Sequence, residues 1–289
     1  MRELTLQNLI NRVDELPEVP QIAFRAIQLL NNPETDVSSL AQVISSDQAL
    51  TAKVLRLCNS AFYGLSRQVT TISEAVVIVG FSALKSLVLM LTTQSSMNKG
   101  LLGYKIGPGE FWHHSLSAAE VSRFLAQHTG SNNPEEAFIA GLIHDIGKMA
   151  LNQYALPEVY RATNLSQKER IPIHEAETRV LGFDHADVGA ALTERWNFPP
   201  VLVEAIRRHH SFEPYAPAGK TEALPLLVST ANLIAQSLEH AQPFNWSELQ
   251  NHNQILQDTL GLSIEQLKQL LPGLRQRITE ANDMLLLLD

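Results

Sequence analysis

Apolar residues recur at three- and four-residue intervals through almost the whole chain, and no alternating stretch of useful length competes with them, so the pattern predicts an all-α protein. Ile22, Ala23, Ala26, Ile27, Leu29 and Leu30 make one helical stripe after Pro20, closed by Asn31-Asn32-Pro33. Asp36 is placed to cap a helix carrying Val37, Leu40, Val43 and Ile44, and Asp47 a second with Leu50, Val54, Leu55 and Leu57. Tyr63-Gly64 marks a break; Ser73 is expected to open a helix ending near Gly80, and Ser82 the very apolar run from Leu84 to Leu91. Gly100, Gly103, Gly107, Pro108 and Gly109 make the stretch from Asn98 to Gly109 read as a linker. Beyond it, helices are expected at about 110–129, 135–152, 157–168, 172–182, 184–196 and 199–211. The loop from Glu213 to Gly219 then leads into a helix through Asn232, with Ser247 and Ser263 as caps of two closing helices.

Composition narrows the classes. A chain of 289 residues with 45% apolar side chains can bury a sizeable core, as one helical body or two subdomains. The net charge of −8 and the lack of a Lys/Arg block argue against direct nucleic-acid binding, which rests on phosphate neutralisation. Asp36 to Leu57 has the outline of a helix-turn-helix, but the acidic balance of the chain and a second helix with Lys53 and Arg56 as its only basic residues argue against one. Cys58 stands alone, which excludes an intramolecular disulfide and points to an inert buried thiol in a reducing compartment. Met1 to Asn8 does not read as a signal peptide, and the leucine run from Leu285 to Leu288 is far too short to span a bilayer. A cytoplasmic protein away from the membrane is expected.

Candidate chemistry sits in the histidines. His114, then His144-Asp145 about thirty residues on, then His185 and the pair His209-His210 fall in the order and spacing of a metal-dependent phosphohydrolase site. His113 competes with His114, but adjacent helical positions point about 100° apart, so one alone faces a pocket. Nitrogen and oxygen donors together suit iron, manganese, nickel or zinc better than calcium. Where such a site would close on a later aspartate, the chain offers Asn232, a weaker ligand that adds no charge. Lys148 has two readings: in an active enzyme it steadies a phosphate oxygen, and otherwise it is a helix-end lysine near its own carbonyls. Asn59, Ser60, Phe62 and Tyr63 read as a helix end with aromatic packing, with a partner-binding surface as the alternative.

Two blocks carry a family resemblance. Asp36-Val37-Ser38-Ser39-Leu40-Ala41 through Ile44-Ser45-Ser46-Asp47 to Asn59-Ser60-Ala61-Phe62-Tyr63-Gly64 resembles the N-terminal signature of the HDOD domain, the HD-related output domain of bacterial signalling proteins. Phe111-Trp112-His113-His114-Ser115, Gly141-Leu142-Ile143-His144-Asp145-Ile146-Gly147-Lys148 and Leu181-Gly182-Phe183-Asp184-His185-Ala186 are similar to the same family and, more distantly, to HD-domain phosphohydrolases. The resemblance implies a two-lobed all-α architecture: an N-terminal helix over 1–15, an HDOD domain over 16–213 with lobes meeting near residues 100–108, and helices over 214–289 completing the HD-like lobe. It implies His114, His144, Asp145 and His185 as core ligands, with His209 and His210 available to a second ion. It also implies signalling proteins or a fused receiver-type domain as partners, and a nucleotide as ligand. No HD-GYP extension follows His209-His210, which runs on into Ser211-Phe212-Glu213-Pro214, and Asn232 replaces the closing carboxylate. The expected function is therefore a signal-output module acting by partner or ligand binding over a degenerate metal pocket that holds one ion at most. The alternative is a metal-dependent phosphohydrolase or phosphodiesterase acting on a nucleotide or cyclic dinucleotide.

Overall fold

Several helices of this chain start at a side chain that caps them. In the computed structural model, which describes residues 5–12, 37–60, 68–131, 133–216, 222–239 and 246–286, Asp47 accepts from Leu50 N at 2.9 Å and Thr71 from Glu74 N at 3.1 Å, each satisfying an orphan first-turn amide. The helices are α1 (Leu6–Arg12), α2 (Val37–Ser45), α3 (Gln48–Cys58), α4 (Ile72–Val79), α5 (Phe81–Met97), α6 (Glu110–His128), α7 (Pro134–Ile143) and α8 (Ile146–Tyr154). They continue with α9 (Leu156–Glu169), α10 (Ile173–Leu181), α11 (His185–Arg195), α12 (Pro200–Arg207), α13 (Leu224–Glu239), α14 (Ser247–Gln250), α15 (Asn253–Leu260) and α16 (Ile264–Leu286). Among the described residues there is no strand, only a single antiparallel bridge between Leu101 and Ile106. The protein is all-α.

The chain divides into two compact units. One joins residues 1–16 to 97–275, the other 17–96 to 276–289. In the second, α2, α3 and α4 pack on one another around Leu40, Ile44, Val54, Leu57 and Ala75, all buried. Asn59 ends α3 and clamps the chain ten residues on: its Nδ2 donates to Val69 O at 2.8 Å and its Oδ1 accepts from Val69 N at 2.7 Å. That pair of hydrogen bonds is a structural use of Asn59, and Cys58 beside it is fully buried, its thiol pushed up to about 11 by burial. In the first unit, α6 packs along α7 and α13, while α11 packs against α8, α12 and α1. Phe111, Leu116, Leu125 and Phe138 are buried there, on α6 and α7.

Several expectations need correction. The single helix expected over 135–152 is two, α7 and α8, broken at His144-Asp145. The cause is tertiary: a Cβ on Gly147 would lie 2.0 Å from His185 O and 2.7 Å from Gly189 N, so α8 and α11 cross backbone against backbone. The stretch from Asn98 to Gly109 is no loose linker, because Leu101, Gly103 and Tyr104 are buried and a 3-10 turn occupies Leu102–Tyr104. Thr71 rather than Ser73 caps α4, and α5 starts at Phe81 rather than Ser82. Ser263 does cap α16, exchanging bonds with Gln266 at 3.2 and 2.8 Å, whereas Ser247 lies within α14, whose cap position is Trp246. Asp36, the helix expected between Pro20 and Pro33, Phe62 and the break at Tyr63-Gly64 lie outside the described residues.

Candidate metal centre

Three local devices aim the histidines inward. His144 sits at the end of α7, where its Nδ1 lies 2.7 Å from Gly141 O, and His209 repeats the device after α12 with Ile206 O at 2.6 Å. A carbonyl only accepts, so both rings carry their proton on Nδ1 and present the Nε2 lone pair to the interior. His185 opens α11 behind a reciprocal cap, Asp184 accepting from Asp187 N at 2.9 Å while Asp187 Oδ2 accepts from Asp184 N at 3.3 Å. Gly182 ends α10 at φ 84°, a left-handed residue that folds the chain back so that Glu177 meets His185. Glu177 Oε2 then accepts from His185 N at 2.9 Å and from His185 Nδ1 at 2.6 Å.

Asp145 is the centre of the cluster. Its Oδ2 accepts from Lys148 Nζ at 2.6 Å and faces His144 Nε2 at 3.4 Å and His114 Nε2 at 3.7 Å. Its Oδ1 lies 3.1 Å from His185 Nε2 and 3.4 Å from His209 Nε2, yet makes a hydrogen bond with neither; His209 Nε2 is likewise buried without a hydrogen-bond partner. His210 Nε2 stands 2.8 Å from His185 Nε2, and His114 Nε2 3.3 Å from His144 Nε2. Two donor sets therefore share one carboxylate: Asp145 with His185, His209 and His210, and Asp145 with His114 and His144, the atoms of each set within 4.8 Å of one another.

Electrostatics separate these groups. Burial alone would raise the Asp145 carboxyl, but the Lys148 ammonium and then His144 outweigh it and hold it well below the usual carboxylate range. Burial drives His144 down, His209 down to about 3, and His210 well below its ordinary value. Burial pulls His185 down as well, yet the Glu177 charge, together with the hydrogen bond that Glu177 accepts from Nδ1, overcomes it and carries the imidazole up to about 9. His144, His209 and His210 are thus held neutral around a fixed anion, while His185 keeps its proton against a second carboxylate.

The sequence-predicted residues His114, His144, Asp145, His185, His209 and His210 come together, while His113 faces solvent. Asn232 is 2% exposed on α13, its Oδ1 accepting from Gln236 Nε2 at 3.0 Å. One turn earlier on α13, the Ser229 hydroxyl faces three carbonyl acceptors, Pro225 O of its own helix at 2.9 Å and Ser211 O and Arg208 O of the turn carrying His209 and His210 at 3.0 and 3.2 Å. Lys148 lies in the first turn of α8, so the helix-end reading of it fails. Three residues escaped sequence reasoning: Glu177, Tyr104, whose hydroxyl donates to Glu177 Oε1 at 2.6 Å, and His174, stacked on His210 with centroids 4.1 Å apart. Only Glu177 left a signal, as a charge on the apolar face that Ile173, Ala176 and Val180 describe on α10.

A divalent ion fits this donor set. Buried polar atoms in folded proteins are nearly always hydrogen-bonded, and here two unpartnered ones, Asp145 Oδ1 and His209 Nε2, face each other among inward lone pairs. Gly141 O, Ile206 O and Glu177 hold the imidazoles of His144, His209 and His185 at Nδ1, the fixing of ring orientation that such ligation needs.

The HDOD domain model matches residues 16–212. The chain belongs to the HDOD family. A protein of Treponema pallidum without assigned function is 29% identical over 252 residues, covering 82% of this chain and 45% of that protein; the chain thus spans less than half of that relative's length. The solved HDOD domain protein of Geobacter sulfurreducens, of unknown function, is 28% identical with a TM-score of 0.73, covering 96% of each chain. A solved Shewanella amazonensis protein, provisionally named a phosphohydrolase, is 27% identical with a TM-score of 0.74, covering 96% of this HDOD chain and 97% of its own.

Proposed function

We propose that this HDOD chain is a bacterial signal-output module that works by binding a partner or ligand, over a degenerate HD-type pocket holding a single divalent ion. One observation carries the reading: the two oxygens of Asp145 are unequal. Lys148 already neutralises Oδ2 on the side of His114 and His144, whereas Oδ1 lacks a hydrogen bond and is ringed by His185 and His209, with His210 behind. Asp145 Oδ1, His185, His209 and His210 would hold the ion, and iron, manganese, nickel or zinc suits those donors. Such an ion supplies Lewis acidity toward a phosphoryl oxygen when bound.

The residues argue for binding more than turnover. A second cation beside His114 and His144 would meet the Lys148 ammonium at the same carboxylate oxygen, and Asn232 brings no charge to offset the repulsion. Buried and already paired, Lys148 is also poorly placed to give its proton to a leaving group. The partners proposed are signalling proteins or a receiver-type domain, with a nucleotide as ligand. A cytoplasmic setting fits the lone buried Cys58, and among the described residues no helix is long and apolar enough to cross a membrane.

The second reading, a metal-dependent phosphodiesterase acting on a nucleotide or cyclic dinucleotide, draws on the second donor set and on the name of the Shewanella relative. Elemental analysis of the purified protein with a turnover assay on cyclic dinucleotides and nucleotide phosphates separates the two. At most one ion per chain and no hydrolysis supports the effector; two ions with brisk hydrolysis overturns it.

A further inference from the structure

The turn at 101–106 is anchored far more heavily than a connection requires. Leu101 N donates to Ile106 O at 3.0 Å and Ile106 N back to Leu101 O at 3.2 Å, with Lys105 held in the left-handed region at φ 59°. Gly103 N donates to Asn152 Oδ1 on α8 at 2.8 Å, and Thr163 Oγ1 on α9 donates to Gly103 O at 2.9 Å. A Cβ at Gly103 would meet Val159 at 2.8 Å, so the turn lies directly on α9. What this anchorage fixes is one side chain. Tyr104 is buried and brings its hydroxyl 2.6 Å from Glu177 Oε1, the oxygen that His185 leaves unused.

Each oxygen of Glu177 thereby has its own task. Oε2 accepts from the backbone and ring of His185, and Oε1 is held by Tyr104, so the carboxylate plane cannot rotate without abandoning a buried, charge-assisted bond. Burial and the Glu177 charge keep the phenol well above its ordinary range, which makes it a donor at every working pH. Without the hydroxyl, Oε1 is a buried acceptor with no donor, and Glu177 gains by turning away from the imidazole.

We infer that Tyr104 is a positioning residue of the metal pocket: through Glu177 it holds the Nδ1–H of His185 and turns Nε2 toward Asp145, and so sets the affinity for a divalent ion. This rests on the metal-pocket reading above. By linkage, ion binding in turn tightens the turn.

The test uses the full chain as wild type, Tyr104→Phe and Thr163→Val, the last loosening the same turn without touching Glu177. Calorimetric titration with Mn²⁺ should show Tyr104→Phe binding about tenfold more weakly, the range for a lost outer-shell partner, and Thr163→Val within about twofold of wild type despite a lower melting temperature. In parallel, ¹⁵N-labelled histidine spectra of chelator-treated protein should show the hydrogen-bonded His185 Nδ1–H signal shifted or lost in Tyr104→Phe and retained in Thr163→Val. Wild-type affinity in Tyr104→Phe, or equal losses in both variants, overturns the inference. If wild type takes up no Mn²⁺ at all, the metal reading fails with its dependent claim, while an unchanged His185 signal in Tyr104→Phe removes the positioning role itself.

Discussion

The two units bury polar groups in opposite ways. In the unit of residues 17–96 and 276–289 the buried threonines answer to their own helix: Thr92 Oγ1 donates to Val88 O at 2.7 Å and Thr93 Oγ1 to Leu89 O at 2.8 Å, and the buried side chains described around them are mostly aliphatic. In the histidine-bearing unit an aspartate, a lysine, a glutamate and three histidines are buried together; backbone carbonyls hold His144 and His209 at Nδ1 and Tyr104 holds Glu177, while Asp145 Oδ1 and His209 Nε2 are left without a hydrogen-bond partner. A self-satisfied helix needs no ligand, whereas a buried charge cluster with orphan atoms costs free energy that only a compensating ion or a function retains. The difference places the unsatisfied buried charge, and with it the proposed ion pocket, in the histidine-bearing unit.

The strongest way to break that contrast is Asp145→Ala. Ion binding should vanish in a Mn²⁺ titration, and the Lys148 ammonium, deprived of its 2.6 Å partner, should cost about 3 kcal/mol in chemical denaturation while the chain stays folded. Adding Lys148→Met should restore most of the stability and none of the binding. Next in size is Gly147→Ala. With backbone atoms 2.0 and 2.7 Å from the new Cβ, α8 and α11 must separate, and a loss of roughly 3 kcal/mol together with weaker ion binding is expected.

Leu84→Ala sharpens the comparison from the other side. Leu84 is fully buried in the apolar unit, so truncation should cost about 2–3 kcal/mol and leave ion affinity within twofold of wild type. A parallel loss of affinity would refute the division of labour. The smallest effect is Cys58. Its folded-state value of about 11 lies above the ordinary 9, so the unfolded chain releases this proton first as pH rises. Stability from the neutral thiol is therefore full below pH 9 and lost between pH 9 and about 11, and Cys58→Ala should flatten that part of the urea-midpoint profile.

Much of this was legible in the chain because a helix of 3.6-residue period and its caps leave marks on neighbouring positions. Asp47, Ser263 and the convergence of His114, His144-Asp145, His185 and His209-His210 were read that way or from the family likeness. The break at His144-Asp145 was not, since its cause, Gly147 against His185 O, comes from a helix far along the chain. The glycines before Gly109 were misread as slack for a similar reason: Gly103 is small because Val159 presses on it. Tyr104 and Glu177 are 73 positions apart, and no periodicity reports a contact of that kind.

The central claim is a pocket for one ion, limited by Lys148 on one side of Asp145 and by the missing charge at Asn232. Titrating chelator-treated wild type and Asn232→Asp with Mn²⁺ tests it most directly. The account predicts one ion per wild-type chain and a tighter or second binding event in Asn232→Asp. Two ions on the wild type would contradict the role of Lys148, and unchanged stoichiometry and affinity in Asn232→Asp would place that residue outside the pocket.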